Sequence, residues 1–362
     1  MVVPDLPGLR QQLAENKREI SMQELDGYDA ILIVSFGGPE GPDDVMPFLE
    51  NVTRGRGVPR ERLELVATHY HARGGISPIN GQTRDLIAVL HGALADADLD
   101  LPVYWGNRNW HPMLAETVGQ MAADGVKRAI AFVTSAYSSY SSCRQYRENI
   151  EAAREAVGPT APVIDKLRVF YDHPGFIEPM VDNLRASVAE LEEAEVRSPE
   201  VLFSAHSIPA SMASGADYEA QLQEACRLVA EGAGVDKWSL VFQSRSGPPQ
   251  MPWLEPDVVD AIEALPADAT GVIVVPIGFI SDHMEVLQDL DTDAARAAEA
   301  RSLAFARTST VGTDSRFTSM IVELIGERSG GVERRSLGAL EIKPDFCAAD
   351  CCPAPQRPTR PR

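Results

Sequence analysis

Four side chains of this sequence have the types and spacing to do chemistry together: His206, Glu285, Asp289 and Asp293. His206 ends the apolar run Val201-Leu-Phe-Ser-Ala205 and is followed by Ser207, Ile208 and Pro209. An imidazole titrates near neutrality, so a histidine there can accept a proton or ligate a metal. The plainer reading is a ring satisfied by hydrogen bonds at a strand end. Glu285, Asp289 and Asp293 recur at four-residue spacing in Ile280-Ser-Asp-His-Met-Glu-Val-Leu-Gln-Asp-Leu-Asp-Thr-Asp293. On a helix that spacing stacks side chains on one face, where three carboxylates repel one another unless cations or solvent intervene. The ladder therefore suits a hydrated divalent metal. A solvated acidic face near a helix N-terminus, where the dipole favours acids, is the alternative.

The elements that must bring these groups together are buried parallel strands. Ala30-Ile-Leu-Ile-Val-Ser-Phe36 reads as one by its β-branched content and is stopped by Gly37-Gly-Pro39, before a helix over 45–51. The alternation continues with helix 83–96, strand 101–106, helix 113–124, strand 129–133, helix 145–157, strand 163–170 and helix 177–194. It resumes with strand 201–205, helix 217–231, strand 239–243, helix 256–264, strand 271–276, helix 283–300 and a last helix at 316–328. This pattern predicts an α/β fold of two Rossmann-like domains, each a parallel sheet flanked by helices. The expected divisions are an N-terminal arm (1–27), a first domain (28–172), a second (173–313), a C-terminal helix packing back on the core (314–346) and a cysteine-bearing, proline-rich tail (347–362). Strand carboxyl ends face the ligand crevice in such sheets, which directs His206, His283 and Glu285 to one cleft. Arg54 and Arg56, on the glycine-flexed loop Thr53-Arg-Gly-Arg-Gly57, can pair with ligand carboxylates or stand solvated. The strand exit over 134–142 is rich in hydroxyls, and Ser139 and Tyr140 there suit ligand contact. Gly37-Gly-Pro39 lacks the spacing of a dinucleotide fingerprint.

Composition narrows the partners. Fifty-three acids against 33 bases give a net charge of −20, which argues against nucleic acid and anionic lipid. No window approaches the roughly 18 consecutive apolar residues of a membrane span, and the first residues have no signal-peptide centre. A cytoplasmic monomer without integral membrane association is expected. The five cysteines do not resemble a secreted disulfide framework. Cys226 shares an i, i+4, i+7 stripe with Leu222 and Val229 and reads as core. Cys143 and the crowded Cys347, Cys351 and Cys352 read as ligands instead, with a reactive or free-thiol tail as the plainer alternative.

Phe203-Ser-Ala-His-Ser-Ile-Pro209 together with Gly278-Phe-Ile-Ser-Asp-His-Met-Glu-Val-Leu287 resembles the paired active-site segments of ferrochelatases. Ser35-Phe-Gly-Gly-Pro39, Phe242-Gln-Ser-Arg-Ser-Gly247 and Pro252-Trp-Leu254 are similar to further segments of that family, so the likeness runs from about residue 28 to 328. Arg54-Gly-Arg56 and Gly74-Gly-Ile-Ser-Pro78 stand where the soluble actinobacterial branch, which metallates coproporphyrin III, places its propionate-binding loops. The resemblance implies insertion of Fe²⁺ into coproporphyrin III in heme biosynthesis, with protoporphyrin IX or cobalt chelation as the related alternatives. It implies that His206 and Glu285 face each other across the macrocycle plane, one taking a pyrrole proton or briefly holding iron, the other removing or relaying the second proton. Asp289 and Asp293 would conduct hydrated cations inward, and Arg54, Arg56 and Ser77 would pair with propionates. Phe36 occupies a place where some bacterial relatives carry tyrosine, so it would pack on the porphyrin without a phenol. Some family members, actinobacterial ones included, hold a [2Fe–2S] cluster on one internal and three C-terminal cysteines, here Cys143, Cys347, Cys351 and Cys352. Tetrahedral zinc uses the same number, and Asp350 could substitute because adjacent Cys351 and Cys352 tend to point apart. From a different class, the two-lobed pattern also fits a small-ligand binding protein that closes without chemistry.

Overall fold

Ala30–Ser35 forms β1, buried along its whole length, as expected of a strand covered on both sheet faces. In the computed structural model, which describes residues 27–247, 250–330 and 332–355, β1 is followed by α1 (Val45–Val52), α2 (Arg60–His71) and α3 (Ile79–Asp96). Then come β2 (Val103–Asn107), α4 (Leu114–Ala123), β3 (Arg128–Val133), α5 (Gln145–Val157) and β4 (Val163–Lys166). These four strands pair in parallel in the order β2-β1-β3-β4. The second unit runs through α6 (Pro174–Glu193), β5 (Glu200–His206), α7 (Ala210–Ala213), α8 (Tyr218–Ala233), β6 (Trp238–Gln243), α9 (Val258–Glu263) and β7 (Gly271–Val275). It ends with α10 (Met284–Gln288), α11 (Ala295–Ala300), β8 (Ala304–Arg307) and α12 (Ser315–Ser329), its parallel order being β6-β5-β7-β8. The two Rossmann-like sheets are therefore as the βα alternation implies. The expected arm at 1–27 lies outside the described residues except for Gly27, and so does the end of the tail.

One core joins the two sheets. Ile31 and Ile33 of the first and Phe203 and Ile273 of the second belong to a continuous buried cluster filled by α3, α6, α8 and α12. Within it Phe132, Phe170, Phe176 and Phe317 pack edge-on and stacked with centroids 5.2–6.5 Å apart. Beyond α12 the chain crosses the back of the molecule. Arg168 donates to both carboxylate oxygens of Glu327 (2.6 and 2.9 Å) and to the Arg335 carbonyl, Ser336 donates to Asp172, and Lys343 pairs with Asp217.

The structure departs from the sequence reading in five elements. α2, α7 and β8 were not foreseen. The strand expected over 163–170 stops at Lys166, after which the chain turns inward and Phe170 is buried against Phe176. The helix expected over 283–300 breaks into α10, a π-helical turn at Asp289–Ala294 and α11. A second π turn, Tyr140–Arg144, opens α5.

Candidate active site

β5 carries His206 to the carboxyl edge of the second sheet, one residue beyond the buried Ala205. The ring's Nδ1 lies 2.5 Å from the Ser207 carbonyl oxygen, which can only accept, so Nδ1 holds the proton and Nε2 is the working atom. Tyr218 fixes the strand end by donating to the His206 carbonyl at 2.9 Å. From β7 the chain passes through Pro276 to His283 and enters α10, whose first turn presents Glu285. Its Oε2 stands 3.5 Å from His206 Nε2 and 4.0 Å from His283 Nδ1.

The charges of this pair support each other. Burial alone would push His206 down, but the Glu285 carboxylate and its hydrogen bond lift the imidazole above its usual range. Burial alone would raise Glu285, yet the facing imidazoles pull it down to about 2. His283 is lowered, chiefly by burial. Both partners are walled by protein while open to the cleft, with side-chain exposures of 35% for His206 and 51% for Glu285. A planar macrocycle between them would need two van der Waals contacts, roughly 7 Å. At 3.5 Å they share one wall of the cleft, which corrects the expectation that they face each other across the porphyrin plane. The reason is topological: β5 and β7 are neighbours in one sheet, so their loops emerge side by side.

The carboxylate ladder is also rearranged. Asp289 accepts from the Ser244 hydroxyl and from Gln243 Nε2 at 3.2 Å, and burial together with Glu285 raises it to about 6. Asp293 instead accepts from Gln288 Nε2 at 3.1 and 3.2 Å. Asp291 turns to the other side, 2.8 Å from Arg307. The π turn thus gives each carboxylate separate partners: Ser244 and Gln243 for Asp289, Arg307 for Asp291, and Gln288, with Arg296 at 3.9 Å, for Asp293. Among the described residues no three His, Cys, Asp or Glu side chains are set to hold one metal ion, so His206, Glu285, Asp289 and Asp293 do not close on a single point.

The first sheet supplies the opposite lip. Phe36 follows β1, is 36% exposed, and meets the edge of Phe48 at 6.4 Å and the Arg108 guanidinium at 5.7 Å. α1 and α2 pack around Phe48, Leu63 and Tyr70, and that cluster includes Met284, the neighbour of Glu285. Ser77 is buried against Gly38, where an added Cβ would fall 2.7 Å from the Ser77 Cβ. Arg54 and Arg56 are exposed on the turn after α1. Ser139 does not face the ligand as expected: it is fully buried, its hydroxyl capping the π turn by accepting from the Ser142 amide at 3.0 Å. Tyr140 donates to Glu148 at 3.1 Å and stays half-buried. Gln243, Ser244 and Tyr70 were missed. Gln243 and Ser244 lie within the family-like segment Phe242–Gly247, which was the signal for them, while Tyr70 had only its place four residues before Gly74.

Cys143, Cys347, Cys351 and Cys352 line one cavity of about 180 Å³. Cys347 lies within hydrogen-bonding reach of both Cys143 and Cys351, and the Cys351 and Cys352 sulfurs are 3.5 Å apart. Cys352 has φ +51°, which swings two adjacent thiols to the same side. Arg144 and Arg147 of this edge donate to the Cys351, Cys347 and Ala348 carbonyls and fasten the loop. A hydrogen bond from Cys347 lowers Cys143 to about 5 against the opposing effect of burial, helped by Lys166 and Arg147. Cys226 is in the core, as its stripe implied.

The ferrochelatase family profile matches residues 28–329. A ferrochelatase of Rhodopirellula baltica is 54% identical over 93% of this chain and 97% of its own length. A coproporphyrin III ferrochelatase of Nocardia farcinica is 52% identical over 91% and 97%. Among solved structures, SirB from Bacillus subtilis with Fe³⁺ shares the fold, with a TM-score of 0.51 at 12% identity over 83% of this chain and 97% of that one. With a profile match over most of its length and relatives at this identity, the chain is an enzyme that belongs to the ferrochelatase family.

Proposed function

We propose that the protein inserts Fe²⁺ into coproporphyrin III, forming coproheme and releasing two protons. The observation that carries this is the His206–Glu285 pair at 3.5 Å on a cleft wall shared with Asp289. The naming of several relatives at 48–52% identity as coproporphyrin III ferrochelatases supports the choice of porphyrin. His206, protonated at Nδ1, takes a pyrrole proton at Nε2, and the adjacent carboxylate stabilises the imidazolium that results. Glu285 removes or relays the second proton. Asp289 and Asp293 lead hydrated Fe²⁺ to the pyrrole nitrogens, Phe36 packs on the macrocycle, and Arg54, Arg56 and Ser77 hold propionates with Tyr140 at the rim. Anaerobic Fe²⁺ insertion into coproporphyrin III and protoporphyrin IX, followed by absorbance, tests this. Turnover of coproporphyrin III that is lost in His206→Ala is expected. Preference for protoporphyrin IX would move the substrate, and no insertion into either would overturn the reading.

The cysteines support a second part of the proposal, a [2Fe–2S] cluster on Cys143, Cys347, Cys351 and Cys352. Two irons take four thiolates pairwise, which suits thiols strung along a cavity, whereas one zinc needs all four on a single point. The lowered Cys143 and the cationic Lys166, Arg144 and Arg147 beside it fit an anionic group. When bound, such a cluster supplies one-electron chemistry and a cross-link between the π turn that opens α5 and the tail. Protein prepared without oxygen should contain acid-labile sulfide and lose it in Cys143→Ser. Zinc without sulfide would overturn this part.

A further inference from the structure

Arg73 lies on the reversal between α2 and α3, in the first unit, and reaches into the second. Its Nη1 donates to Gln288 Oε1 at 2.9 Å, and its Nη2 donates to the Leu287 carbonyl at 2.9 Å and to Thr292 Oγ1 at 2.5 Å. All three acceptors are neutral and cluster where α10 passes into the π turn that bears Asp289 and Asp293. π turns are rare and recur at functional sites, and this one is held from outside on two sides. Gln243 and Ser244 brace it through Asp289 from the β6 side. Arg73 braces it from the lip.

The contact also orients an amide. Because Gln288 Oε1 accepts from Arg73, its Nε2 must point the other way, and there it donates to both oxygens of Asp293 at 3.1 and 3.2 Å. Without the guanidinium the amide oxygen loses its donor, and Gln288 is left held only through its bonds to Asp293, free to swing with it. We infer that Arg73 is a positioning residue for the iron path, acting through Gln288 to hold Asp293 and the π turn in the geometry that receives hydrated Fe²⁺. The inference rests on the proposed role of Asp289 and Asp293. It assigns to a lip residue of the first unit the support of carboxylates on the second.

The test is anaerobic steady-state insertion with Fe²⁺ varied at saturating porphyrin, then the reverse. Partners that orient metal-handling groups typically alter affinity 10- to 100-fold, so Arg73→Ala should raise the KM for Fe²⁺ roughly tenfold. Its kcat at saturating iron and its porphyrin KM should stay within about twofold of the parent. Arg73→Lys, which keeps the charge but gathers its donors on a single nitrogen that cannot span all three acceptors, should recover part of the loss. Gln288→Met removes the relay while leaving Arg73 in place, and should reproduce the iron effect even if Arg73→Ala folds poorly. Asp293→Asn separates the inference from the reading beneath it. If Asp293→Asn leaves the iron KM unchanged, the path itself is misassigned and the inference fails with it. If Asp293→Asn raises the iron KM while Arg73→Ala and Gln288→Met do not, or if their effects simply add to it, only the positioning role is overturned. A fall in kcat or a rise in porphyrin KM in place of the iron effect would make Arg73 a general interdomain strut.

Discussion

The proton on His206 sets the expected pH dependence. Glu285 holds the imidazole above its ordinary pKa, and proton removal requires Nε2 to be free. Insertion should therefore rise with pH through the raised His206 pKa. Glu285→Gln deletes the charge that raises it while burial, which lowers it, remains, so the acidic inflection of kcat/KM should move to lower pH. The same change should reduce kcat by about 10²- to 10⁴-fold, the usual worth of a positioned acid or base. An inflection that stays where it was would show that another group titrates. Asp289, raised to about 6, is neutral below that pH and anionic above it. The iron KM should fall as pH rises through about 6, and Asp289→Asn should abolish that dependence. His206 was marked in the sequence as an imidazole ending an apolar strand, and Glu285 by the acid-rich helix opening and the family segment that contain it. Their sharing of one wall was not, because side-chain direction depends on strand order, which a lone sequence leaves open. Ser139 misled for the same reason: a hydroxyl at a strand exit can cap a turn as readily as meet a ligand.

The lip depends on the reversal after α2, where Gly74 and Gly75 both have positive φ, +75° and +76°. A Cβ on Gly75 would meet the Pro42 backbone at 2.5 Å, whereas one on Gly74 would meet nothing within 4 Å. Gly74→Ala should cost only the left-handed backbone term, about 1–2 kcal/mol. Gly75→Ala should cost a further 1–3 kcal/mol or so as the lip shifts off Pro42, and should also raise the porphyrin KM. Thermal unfolding and porphyrin titration of the pair check this, and equal effects would refute the packing argument. Most strands were readable from their apolar runs, because sheets covered on both faces leave no alternation to decipher. α2 was not: Leu63, Ala67 and Tyr70 make its buried stripe, but charged and polar neighbours interrupt it. β8 is four residues long and half-buried, too short for any period to register. The π turn at 289–294 was hidden because its acids keep four-residue spacing, which an α-helix and a π turn share in sequence though not in space.

Across the whole molecule, two sheets share one core and the chain after α12 binds across its back, so a few buried charges carry much of the assembly. Arg168 and Glu327 have side-chain exposures of 1% and 2%. Glu327→Ala strands a buried guanidinium and should cost about 3–5 kcal/mol. Arg60→Ala, which breaks the exposed pairs with Glu50 and Glu64, should cost less than about 1 kcal/mol. The net charge of −20 acts at longer range and with opposite sign on the two substrates. Fe²⁺ is drawn toward an acidic surface, while a porphyrin bearing four ionised propionates is repelled by it, a repulsion that Arg54 and Arg56 offset in the proposed reading. Salt shortens the reach of both forces, to about 10 Å at 0.1 M. Raising ionic strength should therefore lower kcat/KM for iron and raise it for the tetracarboxylate porphyrin, with a dicarboxylate porphyrin responding less. Initial rates at low and high salt, with each substrate varied in turn, decide the matter. If both values fall together, salt is acting on the fold or on the lip contacts, and the field of the whole molecule plays no part in gathering its substrates.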